Sequence, residues 1–322
     1  MKWPNKKKNQ YAYSISVHKE AVHIAILKAV PAAVPADKGI DWQNTHWELI
    51  VNDDISVENE NVPEALSALL KRYEKFATKR QALQLVLGTD LTEEVSVEKP
   101  ELANEEIAAA LQWTLKDLVK TPAADIIADF YDPAIHASGS KKIQVVVASR
   151  TFLQPLLDVL HAAQFDIQGI VNATLAFSRW FNPDEKLVVL TQSFRDVNQL
   201  HIIANNMLVI SRDLNRIQPL TKIAIDDTSE LEVLALEVQR SIDYYTGQLR
   251  QAPLSEICIA TAHPQAADLV AVLGAQLGLN SGVLPYPAWA QELKASDYSD
   301  LPVLSGLVWL TRPVAENSGE PA

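Results

Sequence analysis

Two stretches of this chain repeat one design. Residues 11–27 (YAYSISVHKEAVHIAIL) are two extended runs joined by a short polar turn, and residues 187–212 (LVVLTQSFRDVNQLHIIANNMLVISR) repeat the device with a third run added. Runs rich in β-branched and apolar residues, bounded by polar turns, read as strands. Each hairpin opens a segment of roughly domain size, so the chain is predicted to fold as two related α/β halves.

The remaining pattern fills in those halves. HWELIVND (46–53) alternates as a third strand, and in residues 62–79 Leu66, Leu69, Leu70, Tyr73 and Phe76 recur at helical spacing with lysine and glutamate outside. ALQLVLG (82–88) reads as a short buried strand. An insert then breaks the order. It consists of a polar alternating stretch (91–99), a helix from Glu105 to Val119 that Asn104 caps and Pro122 ends, and a strand at DIIADFY (125–131). IQVVVAS (143–149) is predicted to rejoin the first domain as a buried strand, followed by a helix (151–164), a strand (167–171) and an apolar helix (173–181). In the second half a helix (230–249), a strand (257–260), a helix (265–277) and a short strand near 283–284 follow the hairpin. The expected organisation is a tail (1–10), a first domain (11–183) with an inserted subdomain at about 91–140, a second domain (184–300), a C-terminal helix packing back on the body (301–313) and a second tail (314–322).

Charge and composition exclude several functions. A net charge of −12 argues against a broad nucleic-acid surface, which needs concentrated Lys and Arg. The one basic cluster, Lys6 to Lys8 beside Trp3, reads as a solubilising tail. No run approaches the roughly 18 apolar residues of a membrane span. No apolar stretch follows the N-terminal lysines, so no secretory signal is read and the protein is expected in the cytoplasm. The single cysteine, Cys258, sits in the apolar run 257–260 and reads as a buried, inert thiol.

Chemistry-bearing motifs are sparse. There is no Gly-Lys-Thr/Ser phosphate loop, no Gly-x-Ser-x-Gly elbow and no dinucleotide-binding glycine fingerprint. His18 and His23, taken as strand positions five apart, are expected on opposite faces and so unable to share a metal. The acidic pairs Glu93/Glu94, Glu105/Glu106 and Asp226/Asp227 lie near loops or helix starts, where dipole electrostatics accounts for them. Asp196 reads as a solvated turn residue rather than a metal ligand.

Four segments taken together carry a resemblance to a known family: IAAALQWTLK (107–116), LEVQRSIDYY (236–245), residues 257–287 and SGLVWL (305–310). They resemble the PilM family of type IV pilus assembly proteins, and within it the branch serving the mannose-sensitive haemagglutinin (MSHA) pilus. Glu237, Gln239, Arg240, Ser241, Asp243 and Tyr244 match that family's best-kept helix. The same helix also has a plain structural reading, with Leu234, Val238, Ile242 and Tyr245 as an apolar stripe and Glu237 and Arg240 paired on its surface.

The resemblance implies an actin-like fold, related to the cell-division protein FtsA, with a small subdomain inserted in the first domain. It also implies a place at the cytoplasmic face of the inner membrane, bound to the N-terminal peptide of a single-span protein of the PilN type (MshJ for the MSHA pilus). Active members grip phosphate with glycine-rich turns, since a Cβ there would hold the backbone off the ligand. Against that pattern, Ser16 stands at the Asp position and His18 at the Gly position of the first turn. Gln192 and Phe194 stand in the glycine-free second turn, and Thr261 and Ala262 where the family has Gly-Gly. The resemblance therefore implies a non-enzymatic scaffold with a degenerate nucleotide site, ATP and Mg²⁺ being disfavoured as cofactors. A nucleotide-switched ATPase of the same fold is the alternative, and a sugar-kinase-like enzyme would need phosphate loops that are not visible. The partner peptide is expected along the insert, at Leu111, Trp113, Leu115, Phe130 and Tyr131. Trp113 cannot share a helix face with both leucines, so at least one of these is expected to fail as a contact.

Overall fold

A computed structural model describes residues 11–30, 45–76, 80–135, 141–182, 184–192, 197–291 and 298–312. The first hairpin is β1 (Tyr11–Val17) and β2 (Ala21–Val30), closed by the His18 N–H on the Ala21 carbonyl at 2.9 Å. It is followed by β3 (His46–Ser56), α1 (Val62–Arg72) and β4 (Ala82–Leu87). Then come β5 (Thr92–Glu98), α2 (Asn104–Leu115), β6 (Ile126–Tyr131) and β7 (Lys142–Ser149), before α3 (Arg150–Ala162), β8 (Asp166–Asn172) and α4 (Ala173–Ser178). The second half runs β9 (Lys186–Gln192), β10 (Asn198–Ala204), β11 (Met207–Asp213), α5 (Thr228–Asp243), β12 (Glu256–Ala260), α6 (Ala266–Leu277), β13 (Asn280–Val283) and α7 (Leu301–Thr311).

The two large sheets have one topology. The first is ordered β3-β2-β1-β4-β8 and the second β11-β10-β9-β12-β13. In each, the three strands of the opening meander pair antiparallel, and the next two pair parallel beside the first. A parallel neighbour needs a crossover, supplied here by α1 and α3 in one sheet and by α5 and α6 in the other. Central strands must be apolar on both faces. Accordingly Ala12 to Val17 are all buried on β1, as are Leu187 to Thr191 on β9.

Local chemistry sets the helix ends. The Asn61 side chain accepts from the Glu64 N–H at 3.2 Å to start α1, and Asp227 accepts from the Glu230 N–H at 3.1 Å to start α5. α1 stops at Arg72 rather than Lys79, because Arg72 and Tyr73 both bond the Asp53 carboxylate on β3, at 2.5 and 2.6 Å, and turn the chain away. α2 begins at Asn104 with Ala103 as its cap residue and ends at Leu115, so Asn104 is not the cap and Val119 lies beyond the helix. α6 ends on Gly278, whose φ of 68° is the left-handed conformation that glycine adopts without strain.

The chain divides into two compact units: the described parts of 1–93, 148–179 and 302–322, and those of 94–147 and 180–301. In the second, Leu190, Ile202, Leu234, Val238, Ile259 and Leu273 belong to one apolar core. A separate core joins α2 to the small sheet β5-β7-β6 through Ile107, Leu111, Leu115, Ile143, Val145 and Val147. This corrects the expectation for residues 143–149. The strand does not join the first sheet. It is the centre of the three-stranded one, its alternate residues Ile143, Val145 and Val147 buried beneath α2.

Candidate functional site

The turns expected to face a ligand lie where parallel strands end side by side. Open α/β sheets take ligands at the carboxyl ends of their parallel strands. In the first unit β1 and β4 run parallel, with Val17 opposite Leu87, and the Gly88 N–H bonds the Val17 carbonyl at 2.8 Å. His18 leaves β1 and Asp90 follows β4. Their Nδ1 and Oδ1 atoms are 3.4 Å apart, and the other Asp90 oxygen accepts the Lys19 N–H at 2.9 Å. Burial pushes the Asp90 carboxyl up, but the bonds from His18 and Lys19 outweigh it and hold it below the usual carboxylate range.

Gly88 makes this closure possible. A Cβ there would fall 2.3 Å from His18 Nδ1 and 2.4 Å from Asp90 Oδ1. The imidazole and carboxylate thus occupy the space above the strand ends that a side chain at position 88 would need. His18 is 7% exposed, and Ser16 just before it is fully buried, its hydroxyl without a hydrogen-bond partner among the described residues. The His23 ring meets His18 edge-on at 6.0 Å, so the two do not point apart. His18 lies in the turn and not on the strand, and the antiparallel pairing of Ser16 with His23 brings the second ring back beside the first. Among the described residues, no group of three His, Cys, Asp or Glu side chains is arranged to hold a metal ion.

In the second unit, β9 and β12 run parallel, Thr191 opposite Ala260. Gln192 ends β9 and works as a clamp. Its Oε1 accepts the Thr221 N–H at 2.9 Å and the Thr261 hydroxyl at 3.3 Å, while its Nε2 donates to Thr221 Oγ1 at 3.1 Å. The structure therefore brings Gln192 and Thr261 together directly, with Thr221 held by the same Gln192 amide. Thr261 is buried and Ala262 exposed. His263 anchors the same loop. The Gln265 N–H donates to its Nδ1 at 2.9 Å, which leaves Nε2 to donate to the Ile223 carbonyl, also at 2.9 Å. Phe194 and Asp196 lie outside the described residues.

Sequence reasoning missed Gly88, Asp90, Thr221 and His263. Gly88 and Asp90 had a readable signal, a glycine and an aspartate directly after a buried strand. Thr221 and His263 had none, since hydrogen bonds across 29 and 40 residues leave no local pattern.

On the insert the five expected contacts separate. Leu111 and Leu115 are fully buried in the core of α2 and the small sheet, so they present nothing to a partner: their spacing served the helix's inward face. Trp113 is 73% exposed, with Leu102 and Leu118 also exposed nearby in sequence. Phe130 and Tyr131 are half-buried, Phe130 packing on that core beneath the Lys99 ammonium, which pairs with Asp132 at 3.0 Å. Burial, then the neighbouring Glu94, push the Tyr131 phenol up. No helix among the described residues is long and apolar enough to cross a membrane.

No protein-family model and no curated protein matches the sequence. Solved structures do. A PilM–PilN type IV pilus biogenesis complex superposes with a TM-score of 0.61 at 13% identity, over 93% of this chain and 98% of that one. The cytoplasmic domain of EpsL, an inner-membrane component of the type II secretion system of Vibrio cholerae, gives 0.50 at 17% identity, over 92% and 94%. A Bacteroides thetaiotaomicron protein of actin-like ATPase fold and unknown function gives 0.51 at 10% identity, over 95% and 99%. At such identities the likeness shows the fold, and the fold is actin-like, a two-sheet α/β architecture.

Proposed function

We propose that this chain is a PilM-like scaffold of type IV pilus assembly, the MshI-type member serving MSHA pili, and not an ATPase. It works in the cytoplasm against the inner membrane and binds the N-terminal cytoplasmic peptide of a PilN/MshJ-like single-span protein. Support for the assembly role comes from the near-complete overlap with a PilM–PilN complex and with EpsL. Trp113, exposed on the insert, is the side chain best suited to anchor a peptide, because large exposed aromatics carry much of the binding energy at interfaces.

One observation carries the non-catalytic reading: the first turn is closed by its own side chains. With the His18 ring and the Asp90 carboxylate packed over Gly88, the backbone N–H groups are held away from any phosphate, and a carboxylate stands where a triphosphate would bring negative charge. At the adjoining ends of β9 and β12, the Gln192 amide is likewise committed to neutral partners, Thr221 and Thr261. A nucleotide does not fit these residues.

The test has two arms. A ligand that binds only the folded state raises its melting temperature by mass action. Millimolar Mg-ATP is expected to leave it unchanged, and a rise of several degrees would restore the ATPase reading. Separately, a PilN-like N-terminal peptide should be captured by the parent and about tenfold less well by Trp113→Ala. Equal capture by a folded Trp113→Ala protein removes Trp113 from the interface, and no capture by the parent overturns the scaffold role.

A further inference from the structure

Arg72 pairs with the Asp53 carboxylate, and Arg212 and Arg240 with that of Glu237. Arg179, half-buried like Arg212, reaches no carboxylate among the described residues. It is the cap residue that ends α4, its own N–H bonding the Ala176 and Phe177 carbonyls. Its guanidinium lies over the Trp309 ring of α7, 4.0 Å from the centroid, and one Nη donates to the Arg312 carbonyl at 3.3 Å. Trp309 packs in turn on Val86, Val171 and Ala176, which fixes the floor beneath the charge. All of these residues belong to the first unit.

Most of the guanidinium's hydrogen-bonding capacity is therefore unspent, since it carries five N–H donors. Burial pulls the Arg179 pKa down with no carboxylate to offset it, yet a guanidinium stays charged at physiological pH. Charges taken out of water are normally paired. The plain structural reading is that Arg179 caps the end of α7. A helix end offers only about half a negative charge, however, and two arginines meet there, because exposed Arg312 follows directly on α7. With its carbonyl already at Arg179, the long Arg312 side chain is within reach of the same point. One arginine fork satisfies a carboxylate, whereas a phosphate brings close to two negative charges and oxygens enough for both arginines.

We propose that Arg179 and Arg312, with Trp309 as the floor, form a site for a phosphate group, carried by a soluble molecule or by an anionic lipid headgroup. The open edge of Arg179 takes two of its oxygens and Arg312 closes on the others. The site is independent of the pilus role, so either can fail without the other.

Inorganic phosphate is titrated into the full chain at about pH 7.5 and followed by ³¹P NMR, with acetate as a competing carboxylate. The parent should bind phosphate at about millimolar concentration and release it to acetate only at roughly tenfold higher concentration. Arg179→Gln should lose about tenfold in affinity, and Arg179→Lys should recover only part of that, because an ammonium keeps the charge without the fork. Arg312→Gln, at an exposed position where folding is not at risk, should lose about threefold. Flotation with phosphatidylglycerol vesicles, against phosphatidylcholine ones, identifies the carrier. Flotation that depends on Arg179 assigns a lipid headgroup, and phosphate binding without it assigns a soluble phosphate. The assignment is wrong if the parent binds no phosphate and shows no Arg179-dependent flotation, or if folded Arg179→Gln or Arg312→Gln binds as the parent does. It is equally wrong if acetate competes as an equal, which would give the site to an acidic peptide.

Discussion

His201 shows how a single residue ties this fold to pH. It lies on β10, wholly buried, with Nε2 at 3.1 Å from the Thr191 hydroxyl and Nδ1 at 3.1 Å from that of Ser211. Burial lowers its pKa from 6.5 to about 4. Between those values the unfolded chain binds the proton and the folded chain does not, so stability rises with pH across that window. The contribution is complete above about 6.5 and is lost as pH falls toward about 4, on the order of 3 kcal/mol. Urea titrations of the parent should show this loss, and His201→Gln should flatten it while costing about 1 kcal/mol at neutral pH. An unchanged slope in the variant would assign the acid sensitivity elsewhere. Little of this was legible beforehand. A histidine in HIIA reads as a strand residue, and its burial depends on both neighbouring strands. His18 and His23 failed for a related reason, since strand alternation does not apply across a turn.

Elements were legible as types and less so as partners. A helix was expected over residues 230–249; α5 spans Thr228–Asp243 and gives way to a wider turn at Tyr244–Gln248, and the expected pair of Glu237 and Arg240 is present at 2.5 Å. Arg212 from β11 was not foreseen. It bonds the Glu237 carboxylate at 2.8 Å, the Glu237 carbonyl at 2.7 Å and the Ser241 hydroxyl at 2.9 Å, pinning the helix to the sheet edge. Burial raises the Glu237 pKa, but the two arginines outweigh it and hold it below the usual range. That stabilisation is present above the ordinary carboxylate pKa and lost as pH falls through the lowered one. Arg212→Met should therefore cost about 1–2 kcal/mol near neutral pH and much less near pH 3 by urea titration. A cost independent of pH would mean lost packing and not a lost ion pair. The contact of α7 with the first sheet is tighter. A Cβ on Gly306 would fall 2.1 Å from Ser14 Oγ and 2.6 Å from Val86 Cγ2. Glycine to alanine inside a helix ordinarily gains roughly 0.5–1 kcal/mol. Here overpacking reverses the sign, and Gly306→Ala should lose about 1–3 kcal/mol. Adding Ser14→Ala should recover part of the loss, since it removes the nearer atom and leaves Val86 in place. A stabilising Gly306→Ala would show that α7 stands off the sheet.

For the whole molecule, duplication was the most legible property, because each half announces itself by a local strand-turn-strand alternation. The sorting of strands into sheets was not. IQVVVAS has the composition of a central strand in any sheet, and only the burial of α2 against it decides that it completes the insert. The route of the chain was equally hidden. The first unit is made of three separated pieces, the last being the segment after residue 301, so its integrity depends on residues far from its start. α7 supplies Val303, Leu304, Leu307 and Val308, each no more than 1% exposed. At about 1.5–3 kcal/mol for each buried side chain, those four contribute roughly 6–12 kcal/mol, comparable with the ~5–15 kcal/mol that holds a whole domain folded. Ending the chain after Leu301 removes that contribution from the first unit and keeps the described residues of the second. It leaves in place the bond between the Tyr286 hydroxyl and Asp300, at 2.9 Å, and the stacking of Tyr286 on Tyr298 at 4.9 Å in the second. Hydrogen exchange should then show β1 and β4 losing protection while β9 and β12 keep it. Uniform loss would mean that the two units unfold as one. Retained protection in β1 and β4 would mean that the first sheet closes its core without α7, against the burial of all four of those side chains.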